Sequence, residues 1–321
     1  MKLVTIDDVK GGSAGAKLPS GEILHLGRAA HTQGLESWLP PTVRSILAAG
    51  SVGLDVVRGI ISRVSIASPQ QLDTLRRNGT LTGRETRLLA PVPDPRLIVA
   101  AGLAYRSHLE EMSGTPSPPH PTGFMKSPHS VTGPDRAVTL PRDANAHVDY
   151  EGELAVVFGR PCHDVSADEA MGYIAGYCVA NDLSARDWVR DVWNAQTPWE
   201  ARRTWEVNIM GKQFNGFTPL GPVLITADEI PVLGDLRIVT RINGSVLQDA
   251  PVSDLIFDLA ETIAWFSRWY HFEPGDVLLT GTPAGVGVGR QPQQFMTDGD
   301  VVEVEIDGIG TLRNYITRGD H

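Results

Sequence analysis

Two glutamates interrupt a run of apolar residues that otherwise predicts a buried β-strand. They are Glu151 and Glu153, within residues 148–158. Because side chains alternate between the two faces of a strand, Asp149, Glu151 and Glu153 are predicted to share one face. Burying several carboxylates together without partners is strongly unfavourable. A hard divalent cation bound by these oxygens is the simplest way to compensate their charge.

A second acidic position lies further along the chain, where an apolar segment ends at Asn181 and Asp182. The carboxylate of Asp182 could supply a third ligand for the same cation. The alternative is that Glu151 and Glu153 lie on an exposed strand face and only add solubility. The presence of the second acidic position favours a metal site over this alternative.

The composition bounds the class of protein. The chain has 321 residues, of which 41% are hydrophobic and 21% charged, as in ordinary globular proteins of one large domain or two smaller ones. A formal net charge of -10 without a basic tract argues against a nucleic-acid partner. The two cysteines form no CxxC pair, which indicates a reducing compartment. Without a signal-peptide core or an apolar run of about 20 residues, we expect a cytoplasmic protein with no membrane partner.

Proline marks the predicted domain boundary. Residues 90–95 carry proline at alternate positions and predict a linker between a small N-terminal α+β domain, residues 1–90, and a second domain, residues 91–321. Many short predicted strands separated by glycine and proline favour a β-rich α+β fold over a doubly wound sheet. Another proline-rich stretch, residues 115–121, predicts a surface loop that could close over a site. The predicted strands include residues 97–103, 221–226, 236–242 and 276–279, and a closing hairpin of residues 301–306 and 311–316.

Several short motifs, taken in order, resemble those of the fumarylacetoacetate hydrolase family. The similarity covers roughly residues 95–318. Each motif is weak alone, but their common order is specific. The motifs are GLAYRSH at 102–108, DYEGEL at 149–154, NDLSARD at 181–187, GK at 211–212 with GP at 221–222, NG at 243–244, and PGDVLLTGTPAGVG at 274–287.

The resemblance implies a hydrolase that depends on a divalent metal and cleaves a carbon–carbon bond in an acylpyruvate or β-diketo acid. It also implies a mixed β-roll or sandwich core, a homodimer and a small-molecule 2-oxo acid substrate. The implied ligands of Mg²⁺, or of Mn²⁺ or Ca²⁺, are Glu151, Glu153 and Asp182. Alternatives with the same metal site are a decarboxylase, an isomerase or a hydratase that acts through an enolate. A member without catalytic activity is a further alternative, against which the intact acidic residues speak.

His108 and Glu111 are candidates for proton transfer. They are three residues apart, so on a helix they share a face and can form a hydrogen bond. A carboxylate that fixes one imidazole nitrogen lets the other accept a proton from water. The family uses such a pair to activate the attacking water, whereas the alternative is a solvated surface histidine. The resemblance further implies that Lys212 faces the pocket and stabilises an oxyanion, with a solvated lysine as the alternative.

Arg186, Thr282 and Tyr105 are predicted to contact substrate. Arg186 follows Asp182 by four residues and could neutralise the substrate carboxylate, or instead form an ion pair with Asp182 or Asp187. Residues 280–289 lack the Gly-Lys-Ser/Thr ending of a phosphate loop. Their backbone N–H groups and the Thr282 hydroxyl are predicted to hold the substrate carboxylate, although a purely structural turn is an alternative.

The chain also departs from the family pattern. Ala104 and Ser107 replace the Asn and Asp often found before the histidine, which removes a carboxylate that some members add to the metal site. Val189 stands where several hydrolases carry a glutamine that contacts substrate. The tryptophan-rich residues 188–210 could line a larger pocket for a bulky or aromatic acyl group, or pack at a dimer interface.

Overall fold

The computed structural model describes residues 1–112, 115–142, 147–187 and 194–319, without the side chains of Thr204, Trp205 and Val207. The strands are β1 (Lys2–Ile6), β2 (Ser13–Lys17), β3 (Ile23–His25), β4 (Leu81–Thr82), β5 (Leu88–Leu89), β6 (Ile98–Gly102), β7 (Thr122–Lys126), β8 (Val131–Thr132), β9 (Arg136–Leu140), β10 (Val148–Asp149), β11 (Gly152–Phe158), β12 (Ile174–Asn181), β13 (Ser184–Ala185), β14 (Thr218–Thr226), β15 (Arg237–Ile242), β16 (Ser245–Pro251), β17 (Val277–Leu279), β18 (Val301–Ile306) and β19 (Gly310–Arg318). The helices are α1 (Leu26–Thr32), α2 (Val43–Ala48), α3 (Gly50–Ser65), α4 (Pro69–Arg77), α5 (Arg106–Glu111), α6 (Ala167–Ala170), α7 (Pro198–Met210) and α8 (Leu259–Ser267).

Two sheets carry most of these strands. In the larger, 12-stranded sheet the main path runs β4-β3-β2-β1-β14-β12-β11-β17-β6-β7, while β5 and β8 pair with β1 and β14. The smaller, 5-stranded sheet has the order β16-β15-β18-β19-β9. Pairing is mixed, because β11 and β12 are antiparallel whereas β17 and β6 are parallel. This architecture confirms the predicted β-rich α+β class.

The large sheet is buried on both faces. Leu154 on β11 packs in one apolar cluster with Val304 of the smaller sheet. The next residue, Ala155, faces the opposite side and joins a second cluster with Ile46 of α2 and Ile60 of α3. The alternation along β11 therefore places it in the middle of three layers: helices, large sheet and small sheet. This central position explains why β11 is apolar apart from its glutamate.

The N-terminal residues extend the same large sheet. β1 pairs antiparallel with β14, with Lys2 opposite Ile225 and Leu3 opposite Leu224. The apolar cluster on the helical face likewise combines residues from both sides of the predicted boundary. The division into residues 1–90 and 91–321 stays a prediction about folding units, but the sheet and its core cross it.

Several elements lie where the sequence predicts them, including β6, β15, β17 and the hairpin β18–β19. Within the described residues, no helix is both long and apolar enough to cross a membrane.

Candidate active site

Strand register brings two distant acidic residues together. The predicted acidic strand is broken, since β10 ends at Asp149 and β11 begins at Gly152. In the antiparallel β11–β12 pair, Gly152 lies opposite Asn181. Glu151 and Asp182 come just beyond this pair, and the N–H of Asp182 donates to the carbonyl of Glu151 at 2.9 Å. The end of the β11–β12 ladder is therefore where the acidic side chains converge.

Glu151, Glu153 and Asp182 form a compact carboxylate cluster. One oxygen from each residue lies within 4.8 Å of the others. All three residues are buried, and Glu153 and Asp182 are each only 1% exposed. Hard oxygen donors in this number and arrangement suit Mg²⁺, Mn²⁺ or Ca²⁺. The donor set thus fits the divalent cation that the sequence predicts.

Two lysine ammonium groups contact this cluster. Lys212 Nζ donates to Glu151 Oε2 at 2.6 Å and to Asp182 Oδ2 at 2.8 Å. Lys126 Nζ donates to the other oxygen of Asp182, and to the carbonyl of Phe217 at 2.8 Å. Both lysines are buried. Lys212 therefore bridges Glu151 and Asp182, while Lys126 binds the second carboxylate oxygen of Asp182.

The sequence analysis missed Lys126. This residue ends β7 and follows a proline-rich stretch, where a lone lysine resembles a solvated surface residue. Only the folded chain places Lys126 against Asp182, which follows β12. No local pattern in the sequence separates it from an ordinary surface lysine.

The two glutamates have opposite electrostatic surroundings. Burial alone would raise the pKa of Glu151, but the charges of Lys212 and Arg186 outweigh burial and lower that pKa to about 2. For Glu153, burial and the neighbouring carboxylates of Asp182 and Glu151 raise the pKa well above its ordinary value. Of these two glutamates, Glu153 is therefore the one whose surroundings favour the protonated form.

The two lysines also differ. Burial lowers the pKa of Lys126, against the opposing effect of Asp182. For Lys212, the charges of Asp182 and Glu151 outweigh burial and raise the pKa. The positive charge of Lys212 is thus strongly favoured by its contacts.

Arg186 forms ion pairs within the site. Its Nε donates to Asp149 Oδ2 at 3.1 Å, and its guanidinium group also donates to Glu151. Asp149 is fully buried and accepts the N–H groups of Gly287 at 2.6 Å and Val288 at 3.1 Å. Of the predicted alternatives the ion-pair role is the one observed, but with partners other than the two aspartates considered from the sequence. Asp149 supports Arg186 instead of joining the carboxylate cluster.

His108 and Glu111 form the predicted hydrogen-bonded pair on α5. His108 Nδ1 lies 3.2 Å from Glu111 Oε2. Glu111 Oε1 also accepts the N–H of Gly285 at 2.9 Å. One residue before the histidine, the Ser107 hydroxyl donates to Asp254 at 2.5 Å and fixes the start of the helix. With Nδ1 held by the carboxylate, Nε2 is the other nitrogen at which a proton can be exchanged.

Backbone amides after β17 bind the protein's own carboxylates. The sequence analysis assigned these amides to the substrate carboxylate. In the structure they position the acidic side chains of the site, which is a different function for the same loop. The donors are Gly281 to Glu153, Gly285 to Glu111, and Gly287 and Val288 to Asp149.

The hydroxyl of Thr282 has protein partners on both sides. It donates to the carbonyl of Gly152 at 3.0 Å and accepts from Gln248 at 2.7 Å. Thr282 lines the cavity of the site. Since its single hydrogen is already used, it can offer a substrate only an acceptor unless the bond to Gly152 breaks.

A cavity of about 260 Å³ joins these groups. Its wall combines the acidic cluster with basic, polar and apolar side chains. It is lined by Ala101, Gly102, Leu103, His108, Met112, Thr115, Phe124, Glu151, Glu153, Asp182, Arg186, Asn208, Ile209, Lys212, Thr282 and Val288. Of the nine residues that the sequence analysis assigned to the site, the seven found on this wall are His108, Glu151, Glu153, Asp182, Arg186, Lys212 and Thr282.

Tyr105 lies elsewhere. It is fully buried, immediately before α5, and is not among the residues that line the cavity. Its predicted contact with substrate therefore has no support in the geometry, which gives this side chain a place in the apolar core.

The tryptophan-rich stretch contributes to the cavity through other residues. Val189 and Trp193 lie outside the described residues, as does the side chain of Trp205. Trp199 is 68% exposed and does not belong to the cavity wall. The wall instead receives two residues near the end of α7, Asn208 and Ile209.

Comparison with known proteins agrees with the motifs. The family profile described as Fumarylacetoacetate (FAA) hydrolase C-terminal matches residues 97–317. The human protein named Oxaloacetate tautomerase FAHD2A, mitochondrial, is 38% identical over 278 residues, which are 87% of this chain and 80% of that protein. The Bacillus subtilis protein named Oxaloacetate tautomerase YisK is 38% identical over 234 residues, which are 72% of this chain and 73% of that protein.

The fold is similar to solved structures as well. The structure of a fumarylacetoacetate hydrolase from Exiguobacterium antarcticum superposes with a TM-score of 0.75 at 28% identity, and the match covers 99% of this chain and 100% of that one. Sequence profile, relatives and fold thus agree with the resemblance in the motifs. The chain belongs to the fumarylacetoacetate hydrolase family.

Proposed function

We propose that this protein is a divalent-metal-dependent enzyme that interconverts the keto and enol forms of a 2-oxo acid. The observation that carries the proposal is that the buried Glu151–Glu153–Asp182 cluster and His108 line one cavity. The names of the human and Bacillus subtilis relatives, both oxaloacetate tautomerases, support the same class of reaction.

Glu151, Glu153 and Asp182 would hold the cation, which when bound supplies Lewis-acid polarisation of the oxygens of the 2-oxo acid. His108 is placed to remove a proton from the carbon beside the keto group and to return it. Glu111 holds Nδ1 of the imidazole, so that the proton is exchanged at Nε2. Lys212 lines the cavity, and its ammonium group has one hydrogen beyond those given to Glu151 and Asp182, so it can donate a hydrogen bond to the oxygen that gains negative charge.

Hydrolysis of an acylpyruvate is a second candidate, which the His108–Glu111 pair also favours. In that reaction His108 would accept a proton from water while the water oxygen attacks the acyl carbonyl. The carbon–carbon bond would then break, and the released carbon would be protonated. Tautomerisation only moves a proton, whereas hydrolysis consumes water and yields two acids.

Proton nuclear magnetic resonance in D₂O separates the two reactions. With Mg²⁺ or Mn²⁺ we expect exchange of the C3 protons of a simple 2-oxo acid, lost in Glu153→Gln and strongly reduced in His108→Asn. An acylpyruvate that exchanges C3 protons without splitting supports the tautomerase, whereas release of pyruvate and a second acid supports the hydrolase. The absence of metal-dependent exchange in the wild type would contradict the proposed function.

Two proposals concern the whole protein: the resemblance supports a homodimer, and the two free cysteines support a cytoplasmic location. The human relative carries the word mitochondrial in its name, whereas the name of the Bacillus subtilis relative gives no compartment. Light scattering after size-exclusion chromatography would test the dimer, since a monomer mass at micromolar concentration would contradict it.

A further inference from the structure

Another cavity, of about 570 Å³, lies where the N-terminal strands meet β14 and the small sheet. Its wall combines residues of β2, β3 and β5 with residues of β9, β14 and β19. Among the described residues, none lines both this cavity and the candidate active site. We call it the basic cleft, and it is lined by Lys17, Gly21, Ile23, Arg84, Glu85, Thr86, Arg87, Leu88, Pro134, Asp135, Arg136, Pro222, Val223, Gly310, Thr311 and Arg313.

The wall of the basic cleft has the opposite charge balance to the chain as a whole. The whole chain carries 28 lysine and arginine residues against 38 aspartate and glutamate residues. The acidic side chains of the wall are only Glu85 and Asp135, whereas its basic side chains are Lys17, Arg84, Arg87, Arg136 and Arg313. A cleft lined by charges of one sign raises the local concentration of ligands of the other sign. The composition of the wall therefore favours an anion, in a protein whose net charge repels one.

Ion pairs hold three of the arginines in place. Arg313 Nη2 lies 2.7 Å from Asp135 Oδ1. Arg136 forms an ion pair with Asp7, and Arg87 Nε lies 3.9 Å from the same carboxylate. A guanidinium group has five N–H donors, so an ion pair with one carboxylate leaves donors for a ligand. Because these contacts orient the arginines in advance, a ligand loses less free energy in ordering them.

Two cations of the cleft are not engaged in this way. Arg84 Nη2 donates to the carbonyl of Ser20 at 3.2 Å, which fixes the guanidinium group without neutralising it. The neighbouring Gly21 makes room for this group, since an added Cβ would lie 2.5 Å from Arg84 Nε. Within the described part of the chain, neither Arg84 nor Lys17 forms an ion pair. Their positive charges are therefore available to a ligand.

The basic cleft also has apolar surface. Ile23 and Val223 are buried side chains, and Leu88, Pro134 and Pro222 complete this part of the wall. The volume of the cleft is within the range of small-molecule sites, about 300–1,000 Å³. Guanidinium groups match the geometry of phosphate and carboxylate oxygens. The wall is thus suited to an organic molecule that carries several such groups.

We propose that the basic cleft binds a small organic anion with at least two negative charges, carried by phosphate or carboxylate groups. This inference does not depend on the proposed function, because it uses no residue assigned to the candidate active site. It gives the region between the N-terminal strands and the small sheet a binding function of its own.

Three small anions test the proposal and its chemistry. Tricarballylate carries three carboxylates, β-glycerophosphate carries one phosphate group, and acetate carries a single charge. Each is titrated calorimetrically into the full-length protein saturated with Mg²⁺, at constant ionic strength. We expect tricarballylate, β-glycerophosphate or both to bind saturably and at least about tenfold more tightly than acetate. The anion that binds identifies the preferred group. Failure of both to bind, or equal binding of acetate, would overturn the proposal.

Substitutions locate the bound anion. Arg84→Gln and Lys17→Gln should each weaken binding by about tenfold or more, since each removes a hydrogen bond between charged groups. Arg28→Gln is the matched control, because Arg28 is also exposed and donates to a loop carbonyl, that of Gly79, at 2.8 Å, but does not line the cleft. Its affinity should equal that of the wild type. Wild-type affinity in both cleft variants, or an equal loss in Arg28→Gln, would overturn the assignment of the cleft.

Discussion

Glu151 and Glu153 are two residues apart in sequence, yet their surroundings differ completely. Glu151 contacts Lys212 and Arg186, whereas Glu153 accepts the N–H of Gly281 and lies beside other carboxylates. The sequence predicts that both face the same side, and the structure places both in the cluster. The sequence could not predict which glutamate has its negative charge compensated, because the lysine and arginine side chains come from distant parts of the chain.

Binding of a divalent cation should release a proton, because the pKa of Glu153 is raised by burial, Asp182 and Glu151. A raised pKa keeps this carboxyl protonated at pH values where a free glutamate is ionised, and a metal ligand must be deprotonated. The apparent affinity for Mg²⁺ should therefore increase with pH up to the pKa of Glu153 and level off above it. Calorimetry in buffers of different ionisation enthalpy measures the released proton. Heats that do not depend on the buffer, with affinity constant across pH, would contradict this assignment.

His108→Asn should lower kcat by about 10²- to 10⁴-fold, the usual contribution of a general acid–base group. The affinity for Mn²⁺ should change much less than kcat, because the imidazole is bonded to Glu111 while the three carboxylates that would bind the ion remain in place. His129→Asn, at an exposed position outside the cavity wall, is the matched control. Steady-state kinetics together with Mn²⁺ titration would check this split. An equal loss of metal affinity and turnover would indicate a structural role for His108.

At the scale of elements, local patterns predict the strands better than the connections between them. Alternating apolar residues and turn signals identify β15 and the β18–β19 hairpin from the sequence alone. The break between β10 and β11 and the use of the loop amides after β17 depend on partners from other strands. Such partners are set by tertiary pairing. The sequence could therefore assign the loop to the site, but it could not identify the residues that the loop contacts.

Gly285→Ala should destabilise the fold by more than about 3 kcal/mol, the upper range for single substitutions. Gly285 has a φ of +102°, and an added Cβ would lie 2.1 Å from the carbonyl oxygen of Leu247. Relief of this overlap would also move the N–H that binds Glu111. Denaturant unfolding measures the loss of stability.

Gly244→Ala provides the matched control for this prediction. Gly244 also has a positive φ, +81°, but an added Cβ would meet no atom within 4 Å among the described residues. Its cost should be limited to about 1–2 kcal/mol of backbone strain. Equal losses for the two variants would show that the close approach to Leu247 is unimportant.

At the scale of the whole molecule, the N-terminal residues complete the sheet that carries the site. β1 lies between β2 and β14, and α2 and α3 cover the face of the sheet on which Ala155 lies. The proline-rich linker identifies a change in the chain, but it does not reveal that strands on either side of it pair. Pairing between distant strands is not visible in a single sequence, so the sequence predicts the boundary but not the contacts across it.

A fragment of residues 91–321 should therefore fail to form a stable monomer. Removal of residues 1–90 would expose the edge of β14 and uncover the apolar cluster that contains Ala155 and Leu224. Exposed strand edges and apolar surface promote aggregation. Size-exclusion chromatography and thermal unfolding of the fragment measure this. A monodisperse fragment with cooperative unfolding would instead support an independent N-terminal domain.

Calorimetric titration of Mn²⁺ into the full-length protein, compared with Glu153→Gln, tests the central claim most directly. Glutamine keeps the shape of Glu153 but removes the charge that the cation requires. We expect saturable binding of a single ion by the wild type and its loss in the variant, with both proteins showing the same folded circular dichroism spectrum. Wild-type affinity in Glu153→Gln, or no saturable binding by the wild type, would contradict a metal site at Glu151, Glu153 and Asp182.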